Sequence, residues 1–109
     1  MYYPDAYRFI EIKQPDEGIL IKLFSSWRGG YLHGDSWRIN SGCLRIEEDG
    51  DEAFIHGYSG SVYYIKKDSP GNLTSFTSSV LNDLLDKLGD DARIVDYEYV
   101  KERLNALYP

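Results

Sequence analysis

The chain is short of cysteine, histidine, positive charge and long apolar runs. Cys43 is its one cysteine, so no internal disulfide can form and nothing points to an oxidising compartment. No uninterrupted apolar stretch approaches the roughly 18–20 residues that span a bilayer, which argues against a membrane role. Met1-Tyr2-Tyr3-Pro4-Asp5 lacks the basic and apolar regions of a secretory signal, and the expected location is the cytoplasm. Asn72-Leu73-Thr74 is a glycosylation sequon in form only, because it has no meaning without secretion.

The scarcity of strong ligands limits the chemistry. His33, Asp35, Cys43 and His56 have none of the close paired spacing that marks zinc sites, so no metal is expected. Gly29-Gly30 lacks the strand–glycine–helix context of a phosphate-binding loop, and no cofactor is expected. Ser59, within His56-Gly57-Tyr58-Ser59-Gly60-Ser61, is followed directly by glycine and then by a strand pattern. A nucleophile elbow needs glycine two residues after the serine, with a helix next, so this segment reads as a hairpin turn. The turn Asp49-Gly50-Asp51 lacks the later ligands of a calcium loop.

Lysine and arginine number 12 against 18 aspartates and glutamates, a formal net charge of −6. A nucleic-acid backbone would repel such a chain, whereas a partner with a basic surface would attract it. Phenylalanine is sparse, at four residues, but tyrosine reaches ten. A tyrosine buries its ring and keeps its hydroxyl wet, which suits a thin sheet or a binding surface. One hundred and nine residues of globular composition fit a single domain spanning the whole chain.

The first strand is read over Tyr7–Lys13, and Pro15-Asp16-Glu17-Gly18 suits a type I turn. Ile19–Phe24 is apolar on nearly both faces, which predicts a central strand covered by helix. Trp37–Ser41, Cys43–Glu47, Ala53–Tyr58 and Ser61–Lys66 continue the strand pattern. Gly42 interrupts it, and Ser59-Gly60 serves as a two-residue connection. Past the loop Lys67–Asn72 the period changes. Phe76, Val80, Leu81, Leu84, Leu85 and Leu88 recur at helical spacing, with Thr74 or Ser75 as cap and Gly89 as stop. Arg93-Ile94-Val95 is a short strand or a link. Asp96 then caps a last helix, Tyr97 to Leu107, with Val100, Leu104 and Leu107 on its packed side. Strands followed by helices predict an α+β fold: five or six antiparallel strands in one meander, packed on one face by two C-terminal amphipathic helices.

Two surfaces stand out. The stretch Ser26–Arg38 holds both tryptophans, each in a Ser-Trp-Arg triplet, joined by a glycine-rich aromatic linker. Trp37 alternates with Ile39 as a core residue would, whereas Trp27 has no such partner. Trp, Tyr and Arg dominate binding hot spots, so Trp27, Arg28, Tyr31, His33, Trp37 and Arg38 form a candidate recognition loop. The bland alternative is a loop folded back on its own sheet. The second surface is acidic: Asp83, Asp86, Asp90, Glu98 and Glu102 in the helical part. Such carboxylates either keep a small protein soluble or dock on a basic cleft.

These features lead to the expectation of a small, acidic, non-enzymatic binding protein acting through a protein partner. Immunity proteins and phage or mobile-element inhibitors of host systems, some of them nucleic-acid-binding, are of that kind. Two alternatives remain open. One is a small ligand-binding domain or enzyme using His33, His56, Cys43 or Ser59 in a pocket beside the sheet. The other is a structural protomer of a homo-oligomer, pairing through an edge strand.

Overall fold

The computed structural model describes the backbone of residues 1–109 and every side chain but that of Tyr31. The described residues form an α+β fold of seven strands in two antiparallel sheets, with two longer helices. The strands are β1 (Ala6–Gln14), β2 (Gly18–Trp27), β3 (Ser36–Ile39), β4 (Cys43–Asp49), β5 (Glu52–Gly57), β6 (Val62–Lys66) and β7 (Ala92–Val95). The helices are α1 (Ser75–Leu88) and α2 (Tyr97–Leu107). One helical turn, Gly30–His33, lies between β2 and β3. No helix among the described residues is long and apolar enough to cross a membrane.

The single meander expected from the strand run is divided. The first sheet has the order β3-β2-β1-β7 and the second the order β4-β5-β6. Asn40 causes the break. Its backbone N–H donates to the Leu23 carbonyl, at 3.1 Å, and its side-chain oxygen accepts from the Leu23 N–H, at 2.8 Å. That clip ends β3 with the Asn40 side chain buried, and its amide also points at Cys43 Sγ, 3.5 Å away. Two residues later Gly42, at φ 145°, carries the chain into the second sheet. A Cβ there would lie 2.6 Å from the Tyr58 ring and 2.7 Å from Leu20, so only glycine fits the crossing.

The two sheets enclose the main core. Tyr7, Phe9, Ile21 and Leu23 from the first face Ala53, Ile55, Tyr63 and Ile65 from the second, and Tyr97, Val100 and Leu104 of α2 join them. Helix α1 lies on the opposite face of the first sheet, where Leu81, Val80, Leu84 and Leu85 cover Ile10, Phe24 and Ile12. The helices therefore do not share one face. Between them the chain passes along the edge of the first sheet as β7, paired antiparallel to β1 with Phe9 opposite Val95, and it emerges on the other side. Strand β2 has the both-faces-apolar pattern because α1 covers one of its faces and the second sheet the other.

Local signals decide the ends of elements. Thr74 caps α1 in a reciprocal box with Thr77, and Gly89, at φ 58°, ends the helix with its N–H on the Leu85 carbonyl. Asp96 caps α2 by accepting the Tyr99 N–H at 2.9 Å. The turn after β1 is closed by Glu17 N–H on the Gln14 carbonyl, and Asp16 sits at φ 64°. A positive φ at that position excludes the expected type I turn. The β5–β6 connection is also wider than two residues, since Gly57 N–H reaches the Ser61 carbonyl. Two helical positions depart from the periodic reading: Phe76 and Leu107 are exposed, beyond the reach of the sheets.

Candidate functional site

The tryptophan-rich stretch is split by the strand geometry. Trp27 and Trp37 occupy opposite faces of the first sheet, because Trp27 pairs with Ser36 and Trp37 with Ser26. Trp27 is half-buried and donates its indole N–H to the Tyr3 carbonyl, at 2.9 Å. Its ring meets Tyr2 edge-on, Tyr2 stacks on Tyr63 at 4.9 Å, and the Arg38 guanidinium lies 4.5 Å above the Tyr2 ring. Arg28 holds the same neighbourhood together. Its N–H reaches Asp5, and its guanidinium donates to the Asn72 carbonyl at 3.0 Å. Trp27, Arg28 and Arg38 thus fasten the N-terminal segment, which itself bridges to β6 through Tyr2 and Tyr63.

Trp37 is not the core residue its alternation with Ile39 predicts. It lies flat on Phe24, with centroids 5.7 Å apart, and remains 42% exposed. His33 and its neighbour Leu32 are exposed at the helical turn, and the side chain of Tyr31 lies outside the described part of the structure.

The candidate catalytic groups are dispersed. Cys43 is buried between the sheets, and its thiol is pushed up to about 12 by burial, against a smaller lowering by the Asn40 amide. His56 points to the other face of the second sheet, with Nε2 3.2 Å from the Glu47 carboxylate. Ser59 is exposed in the β5–β6 turn, where its hydroxyl meets that of Ser61. Among the described residues no three His, Cys, Asp or Glu side chains are grouped to hold a metal.

Acidic residues are treated in two ways. Glu11, which is buried, and Glu48, which is exposed, bind cations from distant parts of the fold. Glu11 is almost fully buried, takes Arg93 Nε at 3.0 Å and accepts the Tyr99 hydroxyl. Burial pushes its carboxyl up, and the bonds from Tyr99 and Arg93 outweigh that, leaving it below the ordinary value. Glu48 binds Lys67 at 2.5 Å, Lys101 at 2.8 Å and the Tyr97 hydroxyl at 3.1 Å. These bonds, Lys101 first, hold its carboxyl at about 2.

The helical segment is different. Asp83, Asp86, Asp90, Asp91, Asp96, Glu98 and Glu102 are all exposed, and none takes part in an ion pair among the described residues. Two of the cations in that stretch, Arg93 and Lys101, are the ones turned toward Glu11 and Glu48. Lys87 stays exposed among the carboxylates of α1, so the helical surface keeps an excess of negative charge without being free of cations. Sequence reading found the carboxylates but missed Glu11, Glu48 and Thr77. Thr77 is fully buried and joins Ser26 hydroxyl to hydroxyl at 2.7 Å, a contact across 51 positions that no local pattern announces.

An open cleft of about 640 Å³ lies where β7 ends beside β1. Tyr7, Arg8 and Phe9 form one wall, Lys67, Asp68 and Pro70 another, and Ile94–Glu98 the third. Searches of protein-family models, of curated proteins and of solved structures found no match to this chain.

Proposed function

We propose that this chain is a small, acidic, non-enzymatic binding protein that acts in the cytoplasm through a protein partner with a basic surface. Immunity proteins and inhibitors carried by phages or mobile elements are of that general kind. The observation that carries the reading is the charge separation in residues 83–102. Seven exposed carboxylates there take part in no ion pair among the described residues, and of the three cations in the same stretch Arg93 and Lys101 are engaged by Glu11 and Glu48, leaving Lys87 exposed among the acids. Unpaired surface charge of one sign raises the rate of encounter with an oppositely charged surface. The inward bonds of Trp27, Arg28 and Arg38 make the Trp-rich stretch the weaker candidate for the contact.

The test is affinity capture from lysate of the source cell, with bound proteins identified by mass spectrometry. Wild type is compared with Asp83→Asn/Asp86→Asn/Asp90→Asn/Glu98→Gln/Glu102→Gln and with Arg28→Ala/His33→Ala. A defined protein retained by wild type and by the Arg28/His33 variant, but lost by the neutralised one, is the expected result. Equal retention by the neutralised chain would contradict the proposal.

A further inference from the structure

We propose that the free edge of β4 is a self-pairing surface, on which β4 of a second copy of this chain lies antiparallel about a two-fold axis at Ile46. This goes beyond the proposed function and uses a different part of the molecule. Four strands lie at sheet edges, and three of them are covered or short. The N-terminal segment takes the edge of β6, where the Tyr2 N–H donates to the Val62 carbonyl and the Tyr64 N–H to the Tyr2 carbonyl, both at 2.9 Å. Strands β3 and β7 have four residues each. Strand β4 has seven, and β5 is its one neighbour in the sheet. Very short edges resist pairing, whereas a longer bare one is a template for it.

The direction of its backbone follows from the ladder. Val62 and Tyr64 point away from β5, so Tyr63 and Ile65 bond to Ile55 and Ala53, and Phe54 and His56 turn to β4. Their partners there are Glu47 and Arg45, which leaves the N–H and C=O of Ile46 directed outward. No other part of the described chain bonds them. Ile46 placed opposite Ile46 of a second copy answers both pairs of groups with two N–H···O=C bonds. The same register sets Arg45 opposite Glu47 of the second copy, twice, on the outer face of the sheet. Within one copy these side chains meet at 3.4 Å and stay 59% and 57% exposed, open to a second contact. An axis one residue away in either direction would set Arg45 against Arg45, or Glu47 against Glu47, and like charges directly opposite are unfavourable. The order Arg-Ile-Glu is therefore complementary to itself, which favours a second copy over an unrelated strand. On the inner face, a groove of about 200 Å³ separates Leu44 and Ile46 from Leu104 and Tyr108 of α2. The paired Ile46 side chains would cover its apolar side. The bulge between Cys43 and Arg45 keeps the pairing short, so the dimer is a weak one.

The test is sedimentation equilibrium of the full chain from about 10 µM to about 1 mM, with amide hydrogen exchange at both ends of that range. The mass should rise from 12.6 kDa toward twice that value. The Ile46 amide should exchange about threefold or more slowly in the concentrated sample, while Arg45 and Glu47, already bonded to β5, should not change. Arg45→Glu and Glu47→Arg, both at exposed positions, should each stay monomeric with an unchanged circular dichroism spectrum. An equimolar mixture of the two variants should associate again, because opposite charges then face each other at both positions of the pair. A mass of 12.6 kDa throughout, self-association of either variant equal to that of wild type, or a mixture that stays monomeric would each overturn the proposal. Concentration-dependent protection at Trp37 or Ile94 in place of Ile46 would overturn it too, by moving the contact to β3 or β7.

Discussion

Glu48 gathers two lysines and a tyrosine at one exposed carboxylate, so its protonation reaches three parts of the fold at once. Its folded carboxyl sits near 2, below the ordinary 4.5. As pH falls the unfolded chain therefore takes up this proton first. The stability the residue contributes is complete above the ordinary value and drains away as pH drops toward the folded one. In urea melts, the gap between wild type and Glu48→Gln should be widest above about pH 5 and close toward the folded value. A gap that does not vary with pH would show that the network lacks this role. Cys43 makes the complementary case. With its thiol raised to about 12 and enclosed between the sheets, iodoacetamide at about pH 8 should leave it unmodified in the native chain and alkylate it after unfolding. Rapid alkylation of the folded protein would reopen the nucleophile reading.

At the scale of elements, the crossing at Asn40–Gly42 decides the architecture. Gly42→Ala adds a methyl group into the Tyr58 ring and Leu20 and forces a side chain onto φ 145°. It should cost about 2 kcal/mol or more in chemical denaturation. A neutral result would mean that the two sheets can part without loss. The helices and their caps were legible in the sequence because their signals are local: Thr74, Gly89 and Asp96 stand at the ends of apolar periods and act there. The strands were legible by alternation, but alternation states a face and not a partner. Nothing in Trp37–Glu47 says that Asn40 clips to Leu23, seventeen positions back, and ends one sheet so that another begins. Strand β7 is four residues long with Arg93 and Ile94 exposed, and only its pairing with β1 makes it a strand. Glu11 reads as a solvent-facing charge until Arg93 and Tyr99, distant in sequence, arrive to bury it.

The whole molecule has two cores that share one sheet. Leu81 sits in the outer one and Leu104 in the inner one, each 3% exposed. Leu81→Ala and Leu104→Ala should each lower stability by about 2–4 kcal/mol. Circular dichroism and tryptophan fluorescence should still report one coincident transition, because strands β1 and β2 contribute to both cores. Separate transitions would show that the first sheet does not couple them. Of the surfaces, the carboxylates were visible in the composition. What sequence alone could not show is that Arg93 and Lys101 are engaged by Glu11 and Glu48 and not by those carboxylates.

That charge separation makes the rate of encounter the most direct readout of the proposed function. The association rate with the captured partner should fall by about tenfold or more as salt rises from roughly 0.02 to 0.2 M. Neutralising Asp83, Asp86, Asp90, Glu98 and Glu102 should flatten that dependence while leaving the fold intact. A rate indifferent to salt, and equal for wild type and the neutralised chain, would contradict a partner drawn in by the acidic helical surface.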